Sequence, residues 1–288
     1  MNDDNYLNAL LSNKLSLIKM PKSGNMIHFA SFSNILTDSD GLILQSVIEP
    51  IKKSISAGDY VIPVTARPAA ITKILCEKLG LETWIAYGGG TVCLNNEIIM
   101  DKVIDPQIVD VICKIAKENG MGVVSDKDGI ISCDNPENVF ARYEMAVFGQ
   151  LETILDFNQN DNHRKIILTV PNQFRKQVMN FPGIIKSELV RLLSGDLRTD
   201  INNLSISITH ASCYIEITAA RKSYGVDIIR TKLDIPFERT SGTGYSGDDI
   251  DLWKSVALPI AMNFTPSIFS KDAIFKTASF AEVLNKLS

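Results

Sequence analysis

The stretch Tyr60-Val61-Ile62-Pro63-Val64-Thr65-Ala66-Arg67-Pro68 decides the fold. Its apolar first half reads as a buried strand, and the polar break at Thr65 ends it. Ala69 to Leu79 then reads as a helix, closed by Gly80. The same unit appears on either side. Upstream, Ile27-His28-Phe29-Ala30 is a strand entering Ser31, followed by a helix carrying Val47, Ile48, Ile51 and Ile55 and closed by Gly58. Downstream, Thr83-Trp84-Ile85-Ala86-Tyr87 is a third strand, stopped by Gly88-Gly89-Gly90. Strand and helix alternating at this period predict an α/β protein with a Rossmann-like parallel sheet covered by helices. Such sheets bind ligands beyond the carboxyl ends of their strands. Chemistry is therefore expected just after Ala30, Val64 and Tyr87.

The middle of the chain departs from this period. Short β-like pieces at 122–125, 129–133, 139–147 and 165–170 follow a helix over about 106–119, and a helical stretch covers 173–193. This predicts an inserted α+β domain at 101–202. The core is expected at 26–100 and 203–288, where helix and strand alternate again. Residues 1–25 stand apart. Tyr6, Leu7, Leu10, Leu11 and Leu15 recur at helical spacing, so a helical extension is expected that covers the domain or docks a protein partner.

Composition excludes several classes. The 288 residues are 45% hydrophobic and 22% charged, enough apolar material for a packed core. With 29 basic and 33 acidic residues the net charge is -4, which argues against nucleic acid as a partner. No apolar run reaches the ~18 residues of a membrane helix, so no membrane role is expected. The N-terminus Met1-Asn2-Asp3-Asp4 lacks a signal-peptide pattern, and the five cysteines form no CxxC pair. A cytoplasmic protein with reduced thiols is the expectation. The three histidines are scattered, and His28 reads as a core residue.

Thr65-Ala66-Arg67-Pro68, Ile85-Ala86-Tyr87-Gly88-Gly89-Gly90 and Ala261-Met262-Asn263, in that order, resemble motifs of the haloacid dehalogenase (HAD) superfamily. The closest branch is that of the Cof-like and sucrose-phosphatase-like phosphatases. The resemblance implies a HAD-like core with a cap inserted after the third strand. It also implies phosphatase chemistry: an Asp nucleophile forms an aspartyl-phosphate, and a second Asp two residues on serves as acid and base. A Thr or Ser holds the phosphoryl group, a Lys offsets its charge, and late acidic residues help bind Mg²⁺.

Mapped residue by residue, the stations are largely replaced. Ser31 stands in the nucleophile's place and Ser33 in the acid/base place, with Asn34 where the family has Gly. Tyr224-Gly225 stands where Lys-Gly is expected; Arg221 or Lys222 could reach in, but neither has the motif's spacing. In Gly244-Tyr245-Ser246-Gly247-Asp248-Asp249, Tyr245 takes the place of a metal-binding Asp, while Asp248 and Asp249 persist. Thr65, Ala66, Arg67, Gly88, Gly89 and Tyr224 are the candidate phosphate or ligand contacts. Each also has a plainer role: Thr65 as a helix cap, Arg67 in a surface ion pair, the glycines as a loop, Asp248 and Asp249 as helix caps.

Three functions follow. The first is a catalytically impaired binding or regulatory protein, a pseudoenzyme without a cofactor, whose ligand is a small phosphorylated or anionic molecule such as a sugar phosphate. The second is a Mg²⁺-dependent sugar-phosphate phosphatase using Asp38 and Asp40 of Asp38-Ser39-Asp40-Gly41 in an unusual register. The third is a metal-independent enzyme with Ser31, Tyr245 and Tyr224 as polar groups.

Overall fold

The computed structural model describes residues 24–127, 130–135, 154–193, 197–209 and 214–288. The expected helix around residues 6–15, the strand at 139–147, His210 and Cys213 lie outside these.

The strands are β1 (Ile27–Ala30), β2 (Tyr60–Pro63), β3 (Trp84–Ala86), β4 (Thr91–Leu94), β5 (Glu97–Asp101), β6 (Gly122–Lys127), β7 (Ile130–Cys133), β8 (Ile154–Asp156), β9 (Lys165–Thr169), β10 (Ser205–Thr209), β11 (Tyr214–Thr218), β12 (Thr240–Gly244), β13 (Leu258–Met262) and β14 (Phe275–Thr277). The helices are α1 (Gln45–Ser56), α2 (Ala69–Leu79), α3 (Pro106–Glu118), α4 (Phe181–Leu192), α5 (Arg198–Asn203), α6 (Lys222–Lys232), α7 (Ile250–Trp253), α8 (Ser267–Ser270) and α9 (Phe280–Leu287).

The core is a parallel five-stranded sheet in the order β14-β13-β12-β1-β2. All four residues of β1 are buried, because both sheet faces are covered. Met26 and Ala30 join the apolar cluster under α1, α2 and α9, whereas Ile27 and Phe29 join the cluster under α6 and α7. The third strand differs from expectation. β3 ladders antiparallel with β4 in a small sheet and joins the main one through the parallel bridge Val64–Ile85 and the Thr65 N–H bond to the Ile85 carbonyl.

The insert is a six-stranded sheet in the order β10-β11-β9-β6-β7-β8. Ile166, Leu168, Ile215 and Ile217 cover one face with α3 and α4. The expected boundary at residue 202 is wrong, since β10 and β11 pair with each other and β11 with β9. The insert therefore runs to Thr218, and the core resumes at α6. The alternation at 204–218 says strand, but only its pairing says which sheet.

The insert's other face meets the carboxyl end of the core. Tyr87 Oη donates to Asp126 Oδ1 at 2.7 Å, and Lys165 Nζ donates to the Ala66 carbonyl at 3.2 Å. Asp248 shares a hydrogen bond with Ser207 of β10. Cap and core thus meet over the loops that follow β2, β3 and β12.

Two features position those loops. Gly89 has φ +108°, and a Cβ there would lie 2.0 Å from the Arg221 carbonyl. Only glycine lets the β3–β4 connection pass so close beneath the start of α6. At the other end of β1, His28 Nδ1 bonds Ser241 Oγ at 2.9 Å and Nε2 lies 3.6 Å from Asp59. Asp59 also accepts the Met26 N–H at 2.8 Å. Burial pushes the Asp59 carboxyl up, but the bonds from His28, Met26 and Ser288 outweigh it and hold it below its ordinary value.

Gly89→Ala is expected to cost about 3 kcal/mol in urea unfolding, because backbone must move. Gly80→Ala, also at positive φ but with nothing within 4 Å, is expected to cost only about 1 kcal/mol. Equal losses would remove the packing role of Gly89. A depressed carboxyl contributes stability above its unfolded pKa and loses it as pH falls through the folded one. Asp59→Asn is therefore expected to cost about 1–2 kcal/mol at pH 7, a gap that closes below about pH 4. Denaturant midpoints measured across this range check it.

Candidate phosphate-binding site

The site forms where β1 ends. The Ser31 N–H completes the β1–β12 ladder by donating to the Thr243 carbonyl at 3.0 Å. The chain then turns tightly, with the Phe32 carbonyl accepting from the Ile35, Leu36 and Thr37 N–H groups. Asn34 sits at φ +58° in this turn. Asparagine tolerates the left-handed region better than other side chains, so it can replace the family's glycine there.

Ser31 is buried, and its hydroxyl donates to Asp249 Oδ1. Lys222 Nζ donates to the same oxygen at 2.7 Å and lies 3.5 Å from Ser31 Oγ. Asp249 Oδ2 accepts the Tyr245 N–H at 2.8 Å and both the N–H and the hydroxyl of Ser246 at 3.1 Å. One carboxylate thus answers five donors. It reaches them because Gly244 lacks a Cβ, which would lie 2.4 Å from the Asp249 Cβ. Burial alone would neutralise this pair. Burial pulls Lys222 down, yet the charges of Asp249 and Asp248 raise it above its ordinary value. Burial pushes Asp249 up, yet Lys222 holds it below the ordinary range. Both shifts favour the ionised pair.

The second cation comes from the loop after β2. Arg67 Nη2 donates to Ser33 Oγ at 3.0 Å, and the guanidinium lies 5.9 Å from the Phe32 ring centre. Thr65 is buried, donates its N–H to the Ile85 carbonyl and accepts the Arg67 N–H on Oγ1 at 3.1 Å. That role leaves its own O–H to donate. Ala66 contributes the carbonyl taken by Lys165. The loop between β1 and α1 is therefore approached by Lys222 at Ser31 and by Arg67 at Ser33.

Other expected residues are placed differently. Tyr224 is 39% exposed and carries Lys102 Nζ 4.3 Å above its ring, so it turns away from Ser31. The lysine expected to be missing is Lys222, two residues before the motif's place, because α6 begins there and its first side chain points back to β1. Gly88 and Gly89 are buried under Thr218 and Arg221, where they seat α6 rather than admit a ligand. Tyr245 is half-buried; its phenol bonds Asn34, and its ring packs 5.6 Å from Phe264. Asp38 accepts the Asp40 and Leu42 N–H groups in a surface turn, at 3.0 and 2.9 Å. The cap residues Asp126, Lys165 and Ser207 were not singled out by sequence; their alternation along β6, β9 and β10 was the only signal.

The Mg²⁺ that the family implies does not suit this donor set. Ser31, Ser33 and Tyr245 offer neutral oxygens where the family has carboxylates. Asp249 already answers five donors, an ammonium among them. Asp248 Oδ1 is the one carboxylate oxygen there that is buried without a partner. Among the described residues no cluster of three or more His, Cys, Asp or Glu could hold a metal. Nor is Ser31 activated: its proton goes to a carboxylate held below its ordinary range, and Lys222 remains an ammonium.

The fold resembles known structures over about nine tenths of the chain. A HAD/Cof-like hydrolase from Plasmodium vivax superposes with a TM-score of 0.74 at 14% identity, covering 91% of this chain and 95% of that one. A HAD-superfamily phosphatase from Bacteroides thetaiotaomicron gives 0.73 at 14% identity, with 93% and 98% covered. A subclass IIB sugar phosphatase gives 0.71 at 17% identity, with 90% and 98% covered. No curated protein matches in sequence. No described helix is long and apolar enough to cross a membrane. The profile of the haloacid dehalogenase-like hydrolases matches residues 35–279, so the chain belongs to that family.

Proposed function

We propose that this chain is a HAD-fold binding or regulatory protein that recognises a small phosphorylated molecule, such as a sugar phosphate, without hydrolysing it. The observation that carries the reading is the Ser31 hydroxyl at the tip of β1, bonded to an Asp249 that Lys222 already neutralises. A serine hydroxyl needs a base to attack phosphorus, and neither neighbour can act as one. Ser33, bonded to Arg67, cannot protonate a leaving alcohol as a carboxylic acid would. What survives is recognition: Lys222 beside Ser31, Arg67 on Ser33, and hydroxyls between them are groups that suit a phosphate dianion. One of the similar structures is a sugar phosphatase, so a sugar phosphate is the class to try first.

Purified protein is expected to release no phosphate from p-nitrophenyl phosphate or a sugar-phosphate panel, with or without Mg²⁺. Turnover that requires Mg²⁺ and disappears in Asp38→Asn would overturn the proposal. Inorganic phosphate at about a hundred times its Kd should add roughly 2.7 kcal/mol of stability. Calorimetry should therefore show a melting rise of several degrees, and no rise at any concentration would count equally against binding.

A further inference from the structure

We infer that this pocket grips phosphate without a divalent cation, the Lys222 ammonium and the Arg67 guanidinium supplying the positive charge. The inference deepens the binding reading above and rests on it. Lys222 Nζ lies 2.7 Å from Asp249 Oδ1, which is also the acceptor for Ser31. A dication arriving at that oxygen would have to displace the ammonium. Lys222 is only 8% exposed, and an ammonium stranded there without its partner costs several kcal/mol. Moving aside is also difficult, because Lys222 is the first residue of α6 and its backbone rests on Gly89.

The remaining oxygens cannot compensate. Mg²⁺ demands near-octahedral oxygen coordination and is held by carboxylates together with the substrate's phosphate. Here the open carboxylate oxygen is Asp248 Oδ1, whose carboxyl also engages Ser207 of the cap. The serines, by contrast, suit a bare anion. Replacing two carboxylates by hydroxyls removes negative charge next to the phosphate and leaves O–H donors in its place. Arg67, bonded to Ser33, and Lys222, beside Ser31, then face the dianion with less opposing charge. Lys222 and Arg67, both covalently attached, are then the positive charge that stands beside the phosphate.

Isothermal calorimetry on the full chain with inorganic phosphate tests this, once in EDTA and once in millimolar Mg²⁺. The two Kd values should agree within about twofold, and Mg²⁺ alone should give no saturable heat. Arg67→Gln should weaken phosphate about tenfold in EDTA, and Lys222→Met at least as much. Should Lys222→Met fail to fold, Arg67→Gln and the paired titrations still decide. Ser31→Asp should create Mg²⁺ binding where the native chain has none. Phosphate binding that appears only with Mg²⁺, or that Asp248→Asn abolishes, would overturn the inference while leaving the binding reading intact. Phosphate bound in neither buffer would overturn both.

Discussion

The ion pair between Lys222 and Asp249 is the constraint on which the site depends. Both groups are buried, and neither could stay charged there without the other. Three separate pieces of chain must therefore arrive together: the end of β1 with Ser31, the loop after β12 with Asp249, and the start of α6 with Lys222. Each arrival has its own local cause. Ser31 is held by the last bond of the central ladder, Asp249 by the N–H groups of Tyr245 and Ser246, and Lys222 by α6 seated on Gly89. The pair contributes geometry more than net stability, because its attraction is largely offset by the loss of water around both charges.

Among the described residues, polar contacts join the cap to the loops around this centre. Asp126 with Tyr87, Lys165 with Ala66 and Ser207 with Asp248 touch the loops that end β3, β2 and β12 respectively. Each contact lands beside a residue that faces the site, so cap position and loop position are coupled. Polar contacts of this kind exchange with water more readily than packed apolar surface.

Much of the fold was legible because it rests on local periodicity. The strands at 27–30 and 60–63 and the helices ending near Gly58 and Gly80 stand where the alternation places them. Ser31 directly follows the buried strand that the alternation predicts, whereas Asp38 lies in a surface turn. What escaped was long-range. Lys222 falls outside the motif's spacing, which counts residues along the chain, whereas the site counts distance from β1. α6 starts at Lys222, two residues before the motif's place, and this brings the Lys222 ammonium beside Ser31. Tyr224 inherits the motif's place but only a surface position. The cap boundary failed because pairing, not pattern, assigns 205–218 to a sheet.

The kept and lost residues divide by what they do. Those that shape and charge the site persist: Thr65 in its turn, Arg67 on Ser33, and the buried Asp249 paired with Lys222. Those that would move a proton or accept phosphorus are hydroxyls. A chain decaying without constraint would lose charge partners as readily as nucleophiles, and a lone Lys222 or Asp249 would then be buried unpaired. The pair holds the folded loops together whether or not chemistry occurs, whereas carboxylates at Ser31 and Ser33 would serve only catalysis and the metal. On the proposed reading, carboxylates at positions 31 and 33 would oppose a bound phosphate, and serines there remove that opposing charge.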